Sequence, residues 1–314
     1  MMMAKKKEVE APITLPTPLV EAIKSKRAIA FLGAGASKEA RNLSGTSPPD
    51  ADQLRDILAQ KFFGKPIPNR DVMAVAEMAI ASSAGTSLVY EAVRAAFDKF
   101  PPSKAHCQLT EFNWRMIATT NYDCLIEKAY SDSPKSAQSL VRFVKDDEPV
   151  EERLQAATNP VQYLKLHGCL DHIFDNDIPL VLSREQYAAY SANRTRLFAL
   201  LRDLARESTI IFIGYRLDDP HIRELIYHLE SKRRPRWYIV TPDAEDYDKT
   251  FWATKNVEVI KCRFGQFMEA VVSAIPPLWR SLAVSDAVSE LPIRNFILFA
   301  VRSRAQSGRL SQPI

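Results

Sequence analysis

Short runs of uninterrupted apolar residues recur along the chain, each followed by a polar or glycine-rich turn and then by a stretch with helical spacing. The runs at 28–32, 116–119, 161–166, 209–213, 237–240 and 257–262 are continuous rather than alternating, as expected of parallel strands covered on both faces. Helical patterns lie between them at 19–25, 71–82, 87–100, 124–130, 195–206 and 264–275, and at 49–63, entered through Asp50 or Asp52. The second and third alanine-rich stretches precede a break at Pro101-Pro102. Ile222, Leu225, Ile226 and Leu229 fall at i, i+3, i+4 and i+7 behind Pro220, with Asp218 or Asp219 as N-cap. This order predicts an α/β fold, a Rossmann-like parallel sheet with a helical subdomain inserted at about 65–105. Residues 1–18 read as an N-terminal segment, 19–282 as the main unit and 283–314 as a C-terminal extension. The polar stretch 131–158 reads as the most loop-like part of the interior.

Composition narrows the function classes. The 314 residues, 46% hydrophobic and 25% charged, suffice for a full-sized core. A net charge of +4 over 42 basic and 38 acidic residues does not indicate direct nucleic-acid binding. The basic cluster 232–236 and Arg302, Arg304 and Arg309 read as solvated surface. No apolar run approaches the roughly 18 residues of a membrane span, and the charged, proline-broken N-terminus has no signal-peptide core, so a cytoplasmic address is expected. Cys107, Cys124, Cys169 and Cys262, at intervals of 17, 45 and 93 residues, lack zinc-knuckle spacing and read as buried, reduced thiols. No pair of histidines has metal-ligand spacing with a carboxylate in place, so no metal is expected.

Three strand ends carry candidate chemistry. Gly33-Ala34-Gly35-Ala36-Ser37 allows a sharp turn and close backbone approach to a pyrophosphate, although glycines also mark plain turns and the third Rossmann glycine is missing. Thr120-Asn121-Tyr122-Asp123 projects an amide and a carboxylate from one turn, where Asp123 serves equally as a helix cap. His167, before Gly168, is either structural or a group for proton transfer near neutral pH. His106 and His172 read as loop residues, and His221 and His228 as surface or capping residues of one helix.

Taken in order, the glycine loop, Asn121 placed 88 residues after Gly33 and His167 another 46 on resemble the signature of the Sir2 (sirtuin) superfamily. The stretches 182–187 (LSREQY) and 212–220 (FIGYRLDDP) resemble its bacterial branch of anti-phage defence proteins, and the likeness covers about 19–275. The resemblance implies NAD as substrate, with Gly33, Ala34, Gly35, Ala36 and Ser37 at the pyrophosphate and ribose, Thr120 nearby, and Gly214 and Tyr215 toward the adenosine half. It further implies that Asn121 orients water or the nicotinamide ribose, Asp123 binds the nicotinamide side and His167 acts as general base. The four-cysteine zinc module of protein-deacetylating sirtuins is absent, Thr120 stands where they carry Gln, and the turn after Ser37 lacks their proline-phenylalanine-arginine loop. These departures favour an NAD glycohydrolase over a deacylase or ADP-ribosyltransferase, with a non-catalytic NAD-binding regulatory subunit as the other alternative. Such enzymes imply control in trans by an ATPase, a nucleotide sensor or an Argonaute-type protein, and homo-oligomers; the apolar stretch 291–301 is a candidate docking segment.

Overall fold

Seven strands form one all-parallel sheet: β1 (Ala28–Leu32), β2 (Met116–Thr119), β3 (Ser139–Phe143), β4 (Pro160–Lys165), β5 (Thr209–Ile213), β6 (Trp237–Thr241) and β7 (Val257–Lys261). Their order is β3-β4-β2-β1-β5-β6-β7. The computed structural model describes residues 13–82, 85–189, 191–215, 217 and 219–282. The candidate docking segment 291–301, the three tail arginines and the alternative cap Asp218 lie outside the described residues.

The two central strands explain why the apolar runs are continuous. Every residue of β1 and β5 is buried. Side chains alternate between two core layers. Ala28, Ala30 and Leu32 join Leu19, Trp114, Ile117 and Phe267 on one face, while Ile29 and Phe31 join Leu164, Leu201, Phe212 and Trp237 on the other. No helix among the described residues is long and apolar enough to cross a membrane.

Residues 131–158 are not the loop their polarity suggests. They contain β3 and the helix Val150–Gln155. β3 is an edge strand in which only Val141 and Phe143 are buried, and the helix buries none of its residues. Elements that bury so little carry almost no hydrophobic period. His106 is likewise misread as a loop residue. It lies buried on the short helix Lys104–Leu109, its Nδ1 accepting the Ser103 N–H at 3.1 Å. Of the four cysteines expected to be buried, Cys169 and Cys262 are, whereas Cys107 and Cys124 are half-buried.

Three helices between β1 and β2, Ala51–Phe63, Val72–Ala81 and Gly85–Phe97, pack through Leu58, Val75, Ala79, Val89 and Val93. The same cluster includes Leu170, Ile173, Leu180 and Leu182 from the segment after β4. This helical layer therefore covers the carboxyl end of the β2–β4 side of the sheet.

The chain builds the sheet outward from β1 through β2 to β4 and β3, then returns to the other side of β1 for β5. The succession reverses between β1 and β5, and such switch points are where open α/β sheets leave a crevice. Here the two strand-end loops touch. Gly33 N–H donates to Ile213 O at 2.9 Å and Gly35 N–H to Gly214 O at 2.8 Å. A Cβ on Gly33 would lie 2.6 Å from Gly214 O, and one on Gly214, whose φ is +63°, would lie 2.2 Å from Ala36 N. Gly214→Ala therefore combines left-handed strain with a backbone clash, and we expect a loss of at least ~2 kcal/mol. Urea denaturation of the purified variant checks this; a midpoint equal to that of the parent would show that the loops part without penalty.

Candidate active site

The glycine loop continues into a buried polar knot. Ser37 Oγ donates to Asp123 Oδ2 at 2.6 Å, and Asn121 Nδ2 donates to Ser37 Oγ and to Gly33 O, both at 2.9 Å. Asp123 also caps: its Oδ1 accepts the Leu125 N–H at 3.1 Å, at the start of the helix Leu125–Asp132. Capping and site roles coexist because the carboxylate has two oxygens. The β2 end is in turn tied to β1, since Thr119 Oγ1 donates to Leu32 O at 2.8 Å and accepts the Asn121 N–H at 2.9 Å.

Beneath this turn lies a cation that the sequence pattern hides. Lys165, the last residue of β4, is fully buried. Its Nζ donates to the carbonyls of Tyr122 and Asp123 and lies 3.2 Å from Glu127 Oε1. Burial disfavours its charge, but Glu127 and the neighbouring thiols and Asp123 outweigh burial, so the ammonium stays protonated. An ammonium held this way pins the backbone of the turn that carries Asn121 and Asp123.

His167 follows β4 at a turn where Gly168 takes φ +92°. The imidazole is buried, and its Nε2 has no hydrogen-bond partner. It lies 3.4 Å from Asp219 Oδ2 without the alignment of a hydrogen bond. Burial pushes the imidazole down to about 4, against the attraction of Asp219 and with help from Arg194 and His221, so the ring is neutral at pH 7. Asp219 is itself held on its other oxygen, which accepts the Tyr187 hydroxyl at 2.5 Å and the His221 N–H at 2.9 Å. The Tyr187 ring stands edge-on to His167 and stacks on His221 at 4.3 Å.

The structure thus brings Ser37, Asn121 and Asp123 together by direct hydrogen bonds. Tyr215 packs edge-on to Phe31 at 5.1 Å and is neutral, its phenol raised by burial and by Asp219, with the Thr120 side chain also adjacent. Ala36 and Gly214 serve the loop contact, and Gly33 and Gly35 have their N–H groups committed to the β5 side. A solvent-open groove lined by Lys38, Arg41, Thr46, Ser47, Asp50 and Gln53 begins next to Ser37.

Sequence spacing missed Asp219, Tyr187 and His221 as a group. Asp219 shows only as an N-cap, which it is, while nothing in the pattern places it against His167. The expectation that no histidines share a carboxylate is corrected accordingly: donor atoms of His167, Asp219 and His221 lie within 4.8 Å of one another. These donors are of the type that bind a divalent transition metal.

Residues 115–260 match the family model of the SIR2-like domain. The chain therefore carries a SIR2-like domain, to which the glycine loop, upstream of the matched stretch, is joined by the pairing of β1 with β2 and β5. Two curated relatives are similar over part of the chain. "Defense-associated sirtuin 2" of Bacillus subtilis is 29% identical over 126 residues, 40% of this chain and 12% of its own length. "NAD(+) hydrolase ThsA" of Enterococcus faecium is 28% identical over 146 residues, 41% of this chain and 27% of its own length. The match thus spans about a quarter or less of either relative. Among solved structures, a crystal structure of a Sir2 homologue–NAD complex is 17% identical with a TM-score of 0.48, over 87% of this chain and 97% of that one.

The depressed His167 has a consequence for stability. An unfolded chain protonates this imidazole below about 6.5, whereas the native state resists until about 4. Stability is therefore unaffected by His167 above pH 6.5 and falls as pH drops from there to about 4. His106, also lowered by burial to about 4, contributes in the same window. Urea melts at several values across it should show a shallower pH dependence in His167→Gln than in the parent, with His106 supplying what remains. Identical pH dependence in the two proteins would show that His167 is not held neutral.

Proposed function

We propose that the protein is a Sir2-like NAD+ glycohydrolase that cleaves NAD+ to nicotinamide and ADP-ribose, and that its turnover depletes NAD in anti-phage defence. The observation that carries this reading is the buried knot of Ser37, Asn121 and Asp123 beside a neutral histidine with an unpartnered ring nitrogen, all at the carboxyl ends of adjacent parallel strands.

Breaking the N-glycosidic bond of NAD builds oxocarbenium-like positive charge on the ribose. Catalysis then consists of aiming fixed dipoles and a carboxylate at that charge in a site from which water is excluded. In this reading Asp123 faces the nicotinamide side and Asn121 orients the attacking water or the ribose hydroxyls. His167 accepts a proton from the water or a hydroxyl through Nε2. Asp219 stabilises the imidazolium as it forms, as the carboxylate partner of a catalytic histidine does. The helical layer over the β2–β4 side keeps bulk water out.

The loop Gly33-Ala34-Gly35-Ala36-Ser37 lies along the pyrophosphate and ribose, with Thr120, Gly214 and Tyr215 around the remainder of the dinucleotide. Lys38 and Arg41 in the adjoining groove add positive charge where phosphates would enter. The names of the two curated relatives support both the substrate and the setting. A separate protein, such as an ATPase, a nucleotide sensor or an Argonaute-type protein, supplies the trigger, and the active form is an oligomer.

Chromatography of nicotinamide and ADP-ribose after incubation with NAD, alone and with lysate of phage-infected cells, tests the reading. Asn121→Ala and His167→Ala are each expected to lower nicotinamide release by at least ~100-fold while the circular-dichroism melt stays cooperative. Full activity in both variants would sink the site assignment. NAD binding with no product under any condition would identify a regulatory NAD-binding subunit instead.

A further inference from the structure

Two thiols from different strand ends meet beside the site. Cys124 Sγ and Cys169 Sγ are 3.7 Å apart although 45 residues separate them in the chain. Cys124 follows Asp123 directly, and Cys169 stands two residues after His167. Each of the two loops placed above around the reacting bond therefore contributes one sulfur. Neither thiol has a part in the proposed cleavage of NAD.

Their surroundings favour negative charge on sulfur. Arg142 Nη1 lies 3.4 Å from Cys169 Sγ, and the buried Lys165 ammonium also acts on the pair. Glu127 Oε1 is 4.0 Å from the same sulfur, but it is already bound by both cations, at 3.1 Å from Arg142 and 3.2 Å from Lys165. Asp171 pairs with Arg142 at 2.9 Å, and His172 Nε2 lies 3.2 Å from the same guanidinium. The hydrogen bond with Cys124 holds the Cys169 thiol at about 7, with Lys165 and Arg142 acting in the same direction against burial and Glu127; the Cys124 thiol is pushed up in turn. One proton is thus shared by two sulfurs, and the pair holds a thiolate near neutral pH. Cys124, Cys169 and Asp171 also have donor types suited to a metal ion. A guanidinium and an ammonium against the sulfurs oppose a bound cation, whereas the same charges assist thiolate chemistry.

We propose that Cys124 and Cys169 form an oxidisable dithiol site, which hydrogen peroxide closes to a disulfide that disables the adjoining NAD site. Cys124, the half-buried member, meets the oxidant. Its thiolate attacks the peroxide O–O bond, giving a sulfenic acid and hydroxide. The hydroxide takes the proton left on Cys169, forming water. The Cys169 thiolate then displaces hydroxide from the sulfenic sulfur and the S–S bond forms. Two electrons pass from the two sulfurs to the peroxide oxygens.

The geometric effect follows from bond lengths. A disulfide requires sulfurs about 2.05 Å apart, so the two loops must draw together by more than an ångström at the sulfurs. Misplacement of about 1 Å in reacting groups costs on the order of 100-fold in rate. The effect on turnover rests on the NAD-cleavage reading; the covalent step does not.

The test treats the full chain with stoichiometric hydrogen peroxide, maps peptides by mass spectrometry without reduction, and follows both NAD binding by calorimetry and nicotinamide release. The expected result is a Cys124–Cys169 linked peptide, at least a tenfold loss of NAD binding or release, recovery with dithiothreitol, and peroxide-insensitive turnover in Cys124→Ser. Oxidation without that linked peptide would overturn the proposal, and so would a linked peptide with NAD binding and release unchanged. If the linked peptide forms and abolishes NAD binding in a protein that releases no nicotinamide in either state, the dithiol site stands and the glycohydrolase reading falls.

Discussion

A fully buried ammonium under the β2 turn is the constraint from which the site follows. Lys165 cannot leave the interior, because it closes a central strand of the sheet, and it cannot remain there unpaired without a large desolvation penalty. The turn after β2 therefore has to present the carbonyls of Tyr122 and Asp123, and the helix after it the carboxylate of Glu127. Once that backbone is fixed, Asn121 and Asp123 have little choice but to reach Ser37 on the neighbouring loop. The polar knot is thus built from below by one charge and from the side by the glycine contact at the switch point.

The second feature of the site is that its ionisable groups are held apart in character by their surroundings. Lys165 keeps its proton because acceptors surround it, whereas His167 loses its own because burial outweighs Asp219. A neutral imidazole beside a carboxylate that is itself held by Tyr187 and the His221 N–H is poised to accept a proton and to have the resulting charge stabilised. The same local economy of charge reaches the thiols, since Lys165 and Arg142 act on Glu127 and on Cys169 together.

Much of the fold was legible in the chain because its central strands bury both faces. Continuous runs such as 28–32 and 209–213 admit few other readings, and Asp50 and Asp71 cap helices where their positions suggest. What hid was whatever buries little. β3 exposes alternate residues at an edge, the helix Val150–Gln155 buries none, and the helix Lys104–Leu109 is only six residues long. Periodicity has no amplitude in such elements, so no reading of hydrophobic pattern could find them.

The sequence by itself determined the parallel sheet, the strand ends at which Gly33, Asn121 and His167 sit, and the kinship their order announces, because those signals are local runs and turns. Only the tertiary structure decided which distant side chains meet. Asp219 faces His167 across 52 residues, Ser37 reaches Asp123 across 86, and Cys124 touches Cys169 across 45. Each pairing depends on how strands separated in the chain lie side by side. Strand order, set by the crossover path and by burial of both sheet faces, leaves no local trace in the residues it brings together.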